Sequence, residues 1–231
     1  MTKRSRITQH MAWDIKGLAV QDSNESAAWL SNLFDPVSSC TVGSWSPAGF
    51  EAYCLIPYPL LAPNGEFYLR TDMERMSDRH HGRLRPLDRA ILDEESLGPK
   101  YCPALPGQLL TALTNCLAQW TQSPAVTWLA IWEGHGDLGV TPAGSGEPPR
   151  IAFHDRDRAY LVYRGDILGA EKLHVRSGYL PDIWWPEDRA WVVTTDVDFG
   201  WMLVAGRDGI AEALVETTKV DVYQTERSDP L

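Results

Sequence analysis

The sequence predicts an α+β fold: a mostly antiparallel sheet with a few helices packed on it, in a single domain. Three observations carry this. Trp191, Val193, Thr195 and Val197 alternate with Val192, Thr194, Asp196 and Asp198, the period of two that sends successive side chains to opposite faces of a strand. The run Val126–Glu133, VTWLAIWE, is apolar at nearly every position and bounded by Pro124 and Gly134, which fits a strand buried on both faces. Pro106–Thr121 carries Leu109, Leu110, Leu113, Cys116, Leu117 and Trp120 as one helical stripe. Strands mixed with few helices, without regular βαβ alternation, favour antiparallel pairing.

In chain order, residues 1–12 are polar and aperiodic and read as a disordered lead-in, with the domain over 13–223 and a polar tail over 224–231. Asp22 and Glu25 resemble a capping box, and Ala27, Leu30, Leu33 and Phe34 follow at helical spacing until Pro36. Phe50–Ile56 reads as a strand that Pro57 and Pro59 place at an edge or a strand end. Phe67–Leu69 reads as another after the Pro63-Asn64-Gly65 turn.

The charged stretch 71–85 holds His80-His81, which point apart in a helix or a strand and so read as a solvated loop rather than a metal pair. Pro86–Glu95 predicts a short helix. After Val126–Glu133, residues 134–149 form a long Gly- and Pro-containing connection, and such connections often carry function or are disordered. Arg150–Phe153 and Ala159–Arg164 read as strands, and 165–183 as irregular, punctuated by Gly165, Gly169 and Gly178.

Trp184-Trp185-Pro186 reads as an aromatic corner outside any central strand, because Pro donates no ladder hydrogen bond. Trp191–Asp198 and Trp201–Ala205 then make a hairpin whose link Gly200 can turn with a positive φ. Asp208 is the expected N-cap of a helix Gly209–Glu216, and Val220–Tyr223 a last strand.

Composition bounds the function. The formal net charge is −10, which argues against a general nucleic-acid binder and against an anionic membrane surface. No apolar run approaches the roughly 18–20 residues a membrane span needs, and no hydrophobic segment follows the basic N-terminus, so a cytoplasmic location is expected. Cys40 and Cys54, and likewise Cys102 and Cys116, have thirteen residues between them, far from zinc-knuckle spacing, so four reduced thiols are expected. Ten tryptophans are many for 231 residues and imply a bulky aromatic core or an aromatic-rich binding surface.

The blocks GSWSPAGFEAYCLIPYP, WLAIWEGHGD, YLVYRG and LPDIWWPEDRAWVVTTDVDFGWMLVAG together resemble a family of uncharacterised bacterial proteins of about this length. That resemblance implies no activity and no catalytic residue. The Trp-rich strand pair followed by a short helix, Trp185–Glu216, is also faintly similar to the SUKH immunity superfamily, which implies a protein partner.

Three constellations are candidates for chemistry. Glu133-Gly134-His135-Gly136-Asp137 brings two carboxylates and an imidazole to a strand end beside the long connection, either as an acid–base or ligand site or as a plain Gly-rich turn. Trp184 and Trp185 with Glu187 and Asp188 read either as core residues beside a surface turn or as an aromatic groove with a polar rim, where Arg189 joins the rim. Asp196 and Asp198 share a strand face and read as its polar side or as a cation pair.

Walker, GxGxxG, GxSxG and HExxH motifs are missing from the sequence, and the DFG at Asp198–Gly200 stands without any other kinase motif. The expectation is a non-catalytic interaction protein without cofactor or bound metal. It would offer an acidic, Trp-containing surface to a basic protein partner, with Trp184, Trp185, Glu187 and Asp188 as the binding residues. The alternative is an enzyme or small-ligand binder that uses Glu133, His135 and Asp137.

Overall fold

The structure, a computed structural model, describes residues 15–21, 23, 25–61, 67–69, 100–101, 105, 107–135, 158–177 and 179–231. Eleven strands are assigned among them: β1 (Ala19–Val20), β2 (Ala52–Pro57), β3 (Leu60–Leu61), β4 (Phe67–Tyr68), β5 (Lys100–Tyr101), β6 (Thr127–Trp132), β7 (Tyr160–Gly165), β8 (Ile183–Pro186), β9 (Val192–Thr195), β10 (Trp201–Gly206) and β11 (Tyr223–Thr225). The helices are α1 (Val42–Trp45), α2 (Gly107–Gln119), α3 (Gly169–Ser177) and α4 (Ile210–Thr218), with 3-10 turns at Ala28–Leu30 and Val37–Ser39. Eight strands form one sheet in the order β1-β7-β6-β8-β9-β10-β2-β11, and β4-β3-β5 form a second, small one. Each of these pairings is antiparallel, as the α+β reading expects.

Alternation divides the large sheet into two faces. Cys54, Ile56, Leu129, Ile131, Leu161, Tyr163, Trp184, Val193, Met202 and Val204 share the face covered by α2, α3 and α4. The α2 stripe supplies Leu110, Leu113, Cys116 and Leu117 to it, and α4 supplies Ile210, Ala211 and Leu214. The opposite face has no long helix on it among the described residues. Ala130, Val162, Ile183, Trp185 and Val192 are instead covered by the 25–50 segment through Ala27 and Leu30, and Leu55 and Leu203 by Val42.

Several expected elements differ from those observed. Trp184-Trp185-Pro186 is not a corner: it belongs to β8, an interior strand between β6 and β9. Proline is accommodated because β9 pairs only with Ile183 and Trp184, so Pro186 faces Thr127 of β6 alone. The 27–34 segment is a 3-10 turn rather than a helix, since only Ala27 and Leu30 of its apolar set reach the sheet fully. Residues 165–183 contain α3, whose Ala170 and Leu173 are buried although glycines punctuate the stretch. Pro57 marks the end of β2, one of the two places expected for it, and β2 is not an edge, since β10 and β11 flank it.

Gly200 is outside the left-handed region, and the β9–β10 link is instead turned by Asp196, whose Oδ1 accepts the Asp198 N–H at 3.0 Å. The N-cap of α4 is Gly209, at φ 84°, while Asp208 accepts the Gly209 N–H through Oδ1. The 224–231 stretch is tied into the domain: Thr225 pairs with Tyr53, Thr41 bridges Pro230, and Arg227 binds Asp35 and the Ser46 carbonyl. The lead-in, His80-His81, the 86–95 helix, the 150–153 strand, Asp22, Cys102 and Asp137 lie outside the described residues. No helix among the described residues is long and apolar enough to cross a membrane.

Candidate functional site

A row across the sheet sets up the first candidate site. Arg164 of β7, Trp128 of β6 and Trp185 of β8 are successive register partners, so their side chains stand on one face. Trp128 and Trp185 line a cleft of about 370 Å³ together with Glu25, Ser26, Glu187 and Arg189. Trp185 is 1% exposed and Trp128 half-buried, so the cleft sits on a tryptophan base that the 25–50 segment covers only in part.

The charged side of the cleft is held by a turn. Directly after β8, Arg189 N–H donates to the Pro186 carbonyl at 2.9 Å, and Glu187 N–H to the Val126 carbonyl at 2.9 Å. Asp188 points away from the cleft and pins the turn: its carboxylate accepts from Thr121 Oγ1 and Gln122 N, each at 2.7 Å, and from Ala190 N at 3.2 Å. Its own N–H donates to Ser123 Oγ at 3.0 Å. Partial burial alone would raise the Asp188 carboxyl, but the hydrogen bonds from Thr121, Gln122, Ala190 and Ser123 outweigh it and hold it below its ordinary value.

The pinned turn presents Glu187 and Arg189 in fixed places. Trp128 Nε1 donates to Glu187 Oε2 at 2.6 Å, and the Arg189 guanidinium lies 4.9 Å from the Trp29 ring centroid. Trp29 meets Trp185 edge-on, with centroids 6.3 Å apart. Arg189 adopts φ 56°, a left-handed backbone that a non-glycine residue takes only when its surroundings hold it there.

The sequence-predicted binding residues therefore separate. Trp185 and Glu187 line the cleft, and Asp188 supports it from behind. Trp184 is fully buried on the opposite, helix-covered face and meets Trp191 edge-on at 5.5 Å, so it is a core residue and not a surface anchor. Adjacent strand positions must face opposite ways, and reading the pair as a corner concealed that. Arg189 lines the cleft as the rim reading expected, whereas Trp128, Glu25 and Ser26 were missed as cleft residues because they come from two other segments of the chain.

The second candidate lies at the end of the sheet where β6 ends and β8 begins. His135 is 4% exposed, and its Nε2 is 3.1 Å from Asp182 Oδ2, which also accepts the Trp132 N–H at 2.7 Å. Tyr179 stacks on the imidazole with centroids 4.1 Å apart. Gly134 is required here, because a Cβ would overlap the Trp132 indole. The partner of His135 is thus Asp182, which sequence spacing did not suggest, and the backbone N–H of Glu133 goes to the Ala159 carbonyl at 3.0 Å.

Nearby, Arg158 lies 4.5 Å from the Trp132 ring centroid and pairs with both Asp196 and Asp198. Burial alone would lower the Arg158 pKa, but the Asp196 carboxylate outweighs it and the net shift is upward. Asp196 and Asp198 are therefore neither a cation pair nor the polar side of a strand: both flank one guanidinium from the β9–β10 turn. Among the described residues, no group of three or more His, Cys, Asp or Glu side chains is placed to hold a metal ion. No protein-family model matches the sequence, and no curated protein or solved structure matches it.

Proposed function

We propose that this chain is a non-catalytic protein-interaction module that binds a basic protein partner, in the manner the immunity-superfamily likeness implies. The observation that carries the reading is the Trp128–Trp185 cleft, whose charged rim is fixed by the Asp188-pinned turn before any partner arrives. A preorganised rim costs little ordering entropy on binding, and aromatic side chains in partly desolvated pockets are the common anchors of interfaces. The net charge of −10 steers a basic partner toward the surface.

The test is affinity capture of the tagged protein from its native cell extract at moderate salt, beside a Trp128→Ala variant. One stoichiometric basic protein that the variant fails to retain supports the reading. Recovery of the tagged chain alone, or equal capture by both forms, refutes it.

A second reading rests on the buried His135–Asp182 pair. A carboxylate that holds Nε2 leaves Nδ1 as the basic nitrogen of the neutral ring, an arrangement suited to an enzyme's general base or to small-ligand contact. Under this reading His135→Gln abolishes ligand binding or turnover and leaves partner capture unchanged.

A further inference from the structure

We infer that the Trp128–Trp185 cleft takes an arginine side chain of the partner, an assignment that rests on the protein-interaction reading above. The first argument is the inventory of donors and acceptors. Glu25 and Glu187 offer carboxylates to the cleft, and the Ser26 hydroxyl beside them is buried without a hydrogen-bond partner among the described residues. The cation of the cleft, Arg189, is already stacked on Trp29. Gln21 and Ser23 complete the lining and each bring a donor as well as an acceptor, the Gln21 amide already donating to the Ala19 carbonyl. The two carboxylates thus leave the cleft richer in acceptors than in donors, and a guest that only donates satisfies it.

The second argument is shape. Trp185, 1% exposed, floors the cleft, and half-buried Trp128 supplies its aromatic surface with Arg164 already 5.6 Å from the ring centroid. This chain repeatedly sets guanidinium over indole, as also for Arg189 on Trp29, Arg207 on Trp120 and Arg158 on Trp132, with centroid distances of 4.9, 4.7 and 4.5 Å. Arginine combines a stacking plane with a fork that bonds a carboxylate through two parallel N–H groups, whereas lysine brings a point charge with neither property. A cleft of about 370 Å³ accommodates one such side chain with its adjoining peptide units.

The experiment is an NMR titration of the full chain with the tripeptide acetyl-Gly-Arg-Gly-amide and with its citrulline counterpart, which keeps the shape and removes the charge. The readout is the indole N–H signal of Trp128, assigned from a Trp128→Phe variant. The expected result is a saturable shift with the arginine peptide and binding at least about tenfold weaker with citrulline. Glu187→Gln, which retains an acceptor for Trp128, weakens the arginine peptide about tenfold, and Glu25→Gln weakens it in the same direction.

Absence of a saturable shift, equal binding of the two peptides, or unchanged binding in both variants overturns the assignment. If the peptide fails while capture of the partner still depends on Trp128, the arginine assignment alone falls. If the peptide binds as described while capture ignores Trp128→Ala, the interaction reading alone falls.

Discussion

The indole N–H of Trp191 donates to the Leu117 carbonyl at 3.0 Å, which fastens the end of α2 to the residue that leads into β9. Both groups are buried, so the bond replaces one that water would otherwise supply. Trp191→Phe keeps most of the ring packing and removes this bond, while the Leu117 carbonyl keeps the Trp120 N–H at 3.0 Å. It should destabilise the domain by about 0.5–1.5 kcal/mol in urea unfolding.

Trp184 in the core and Trp128 in the cleft should separate cleanly in the same assay. Trp184→Ala removes a side chain buried between the sheet and the helices and should cost about 3–5 kcal/mol, a large part of a typical domain's stability. Trp128→Ala, at a half-buried cleft position, should cost clearly less and leave the near-UV circular dichroism of the core in place. Equal losses would mean that Trp128 is core as well.

His174 on α3 is half-buried, and burial lowers its pKa below 6.5; its Nδ1 has no hydrogen-bond partner among the described residues. A histidine that resists protonation in the fold takes up a proton more readily when unfolded. Stability contributed by the neutral ring is therefore present above the unfolded value and lost as pH falls below about 6.5. Urea midpoints measured between pH 8 and pH 5 should decline over that interval, and His174→Gln should flatten the decline.

The cysteines should differ sharply in reactivity. Cys40 is exposed, whereas burial pushes the Cys54 thiol up to about 12 and raises Cys116 as well. In a Cys102→Ser background, a thiol reagent at pH 8 should label one site quickly and two more only with denaturant. Because the folded state disfavours the Cys54 thiolate, stability should also fall as pH rises above about 9, the ordinary thiol value.

Gly134→Ala should disturb the His135 end of the sheet without touching the cleft, since the added Cβ meets the Trp132 indole. The signals of Trp132 and Tyr179 should shift, and those of Trp128 and Trp29 should stay. A variant that alters all four would show the two ends to be coupled.

Much of the sheet was legible because alternation and bounded apolar runs act locally. Val126–Glu133 and Trp191–Ala205 were found for that reason, as was α2 from its stripe. The β8 strand was not, because Pro186 is a local warning whose exemption depends on where β9 stops pairing. α3 was missed because its packing, including Thr114 Oγ1 donating to Glu171 at 2.9 Å, joins two helices far apart in sequence. The candidate sites were half legible. Single stretches gave Glu187 and His135, but only the fold brings Trp128 to one and Asp182 to the other.

The position of β2 bears on how the chain comes into being. Cys54 lies between Val204 of β10 and Gln224 of β11, so a strand made early acquires both neighbours from segments made late. While a ribosome is still adding the middle of the chain, β2 has apolar side chains and two bare edges. Final closure of the sheet must wait until residue 225 has cleared the exit tunnel, so β2 stays without its neighbours while the whole middle of the chain is made. An arrested nascent chain ending near residue 200 should therefore occupy chaperones far more than the finished protein does.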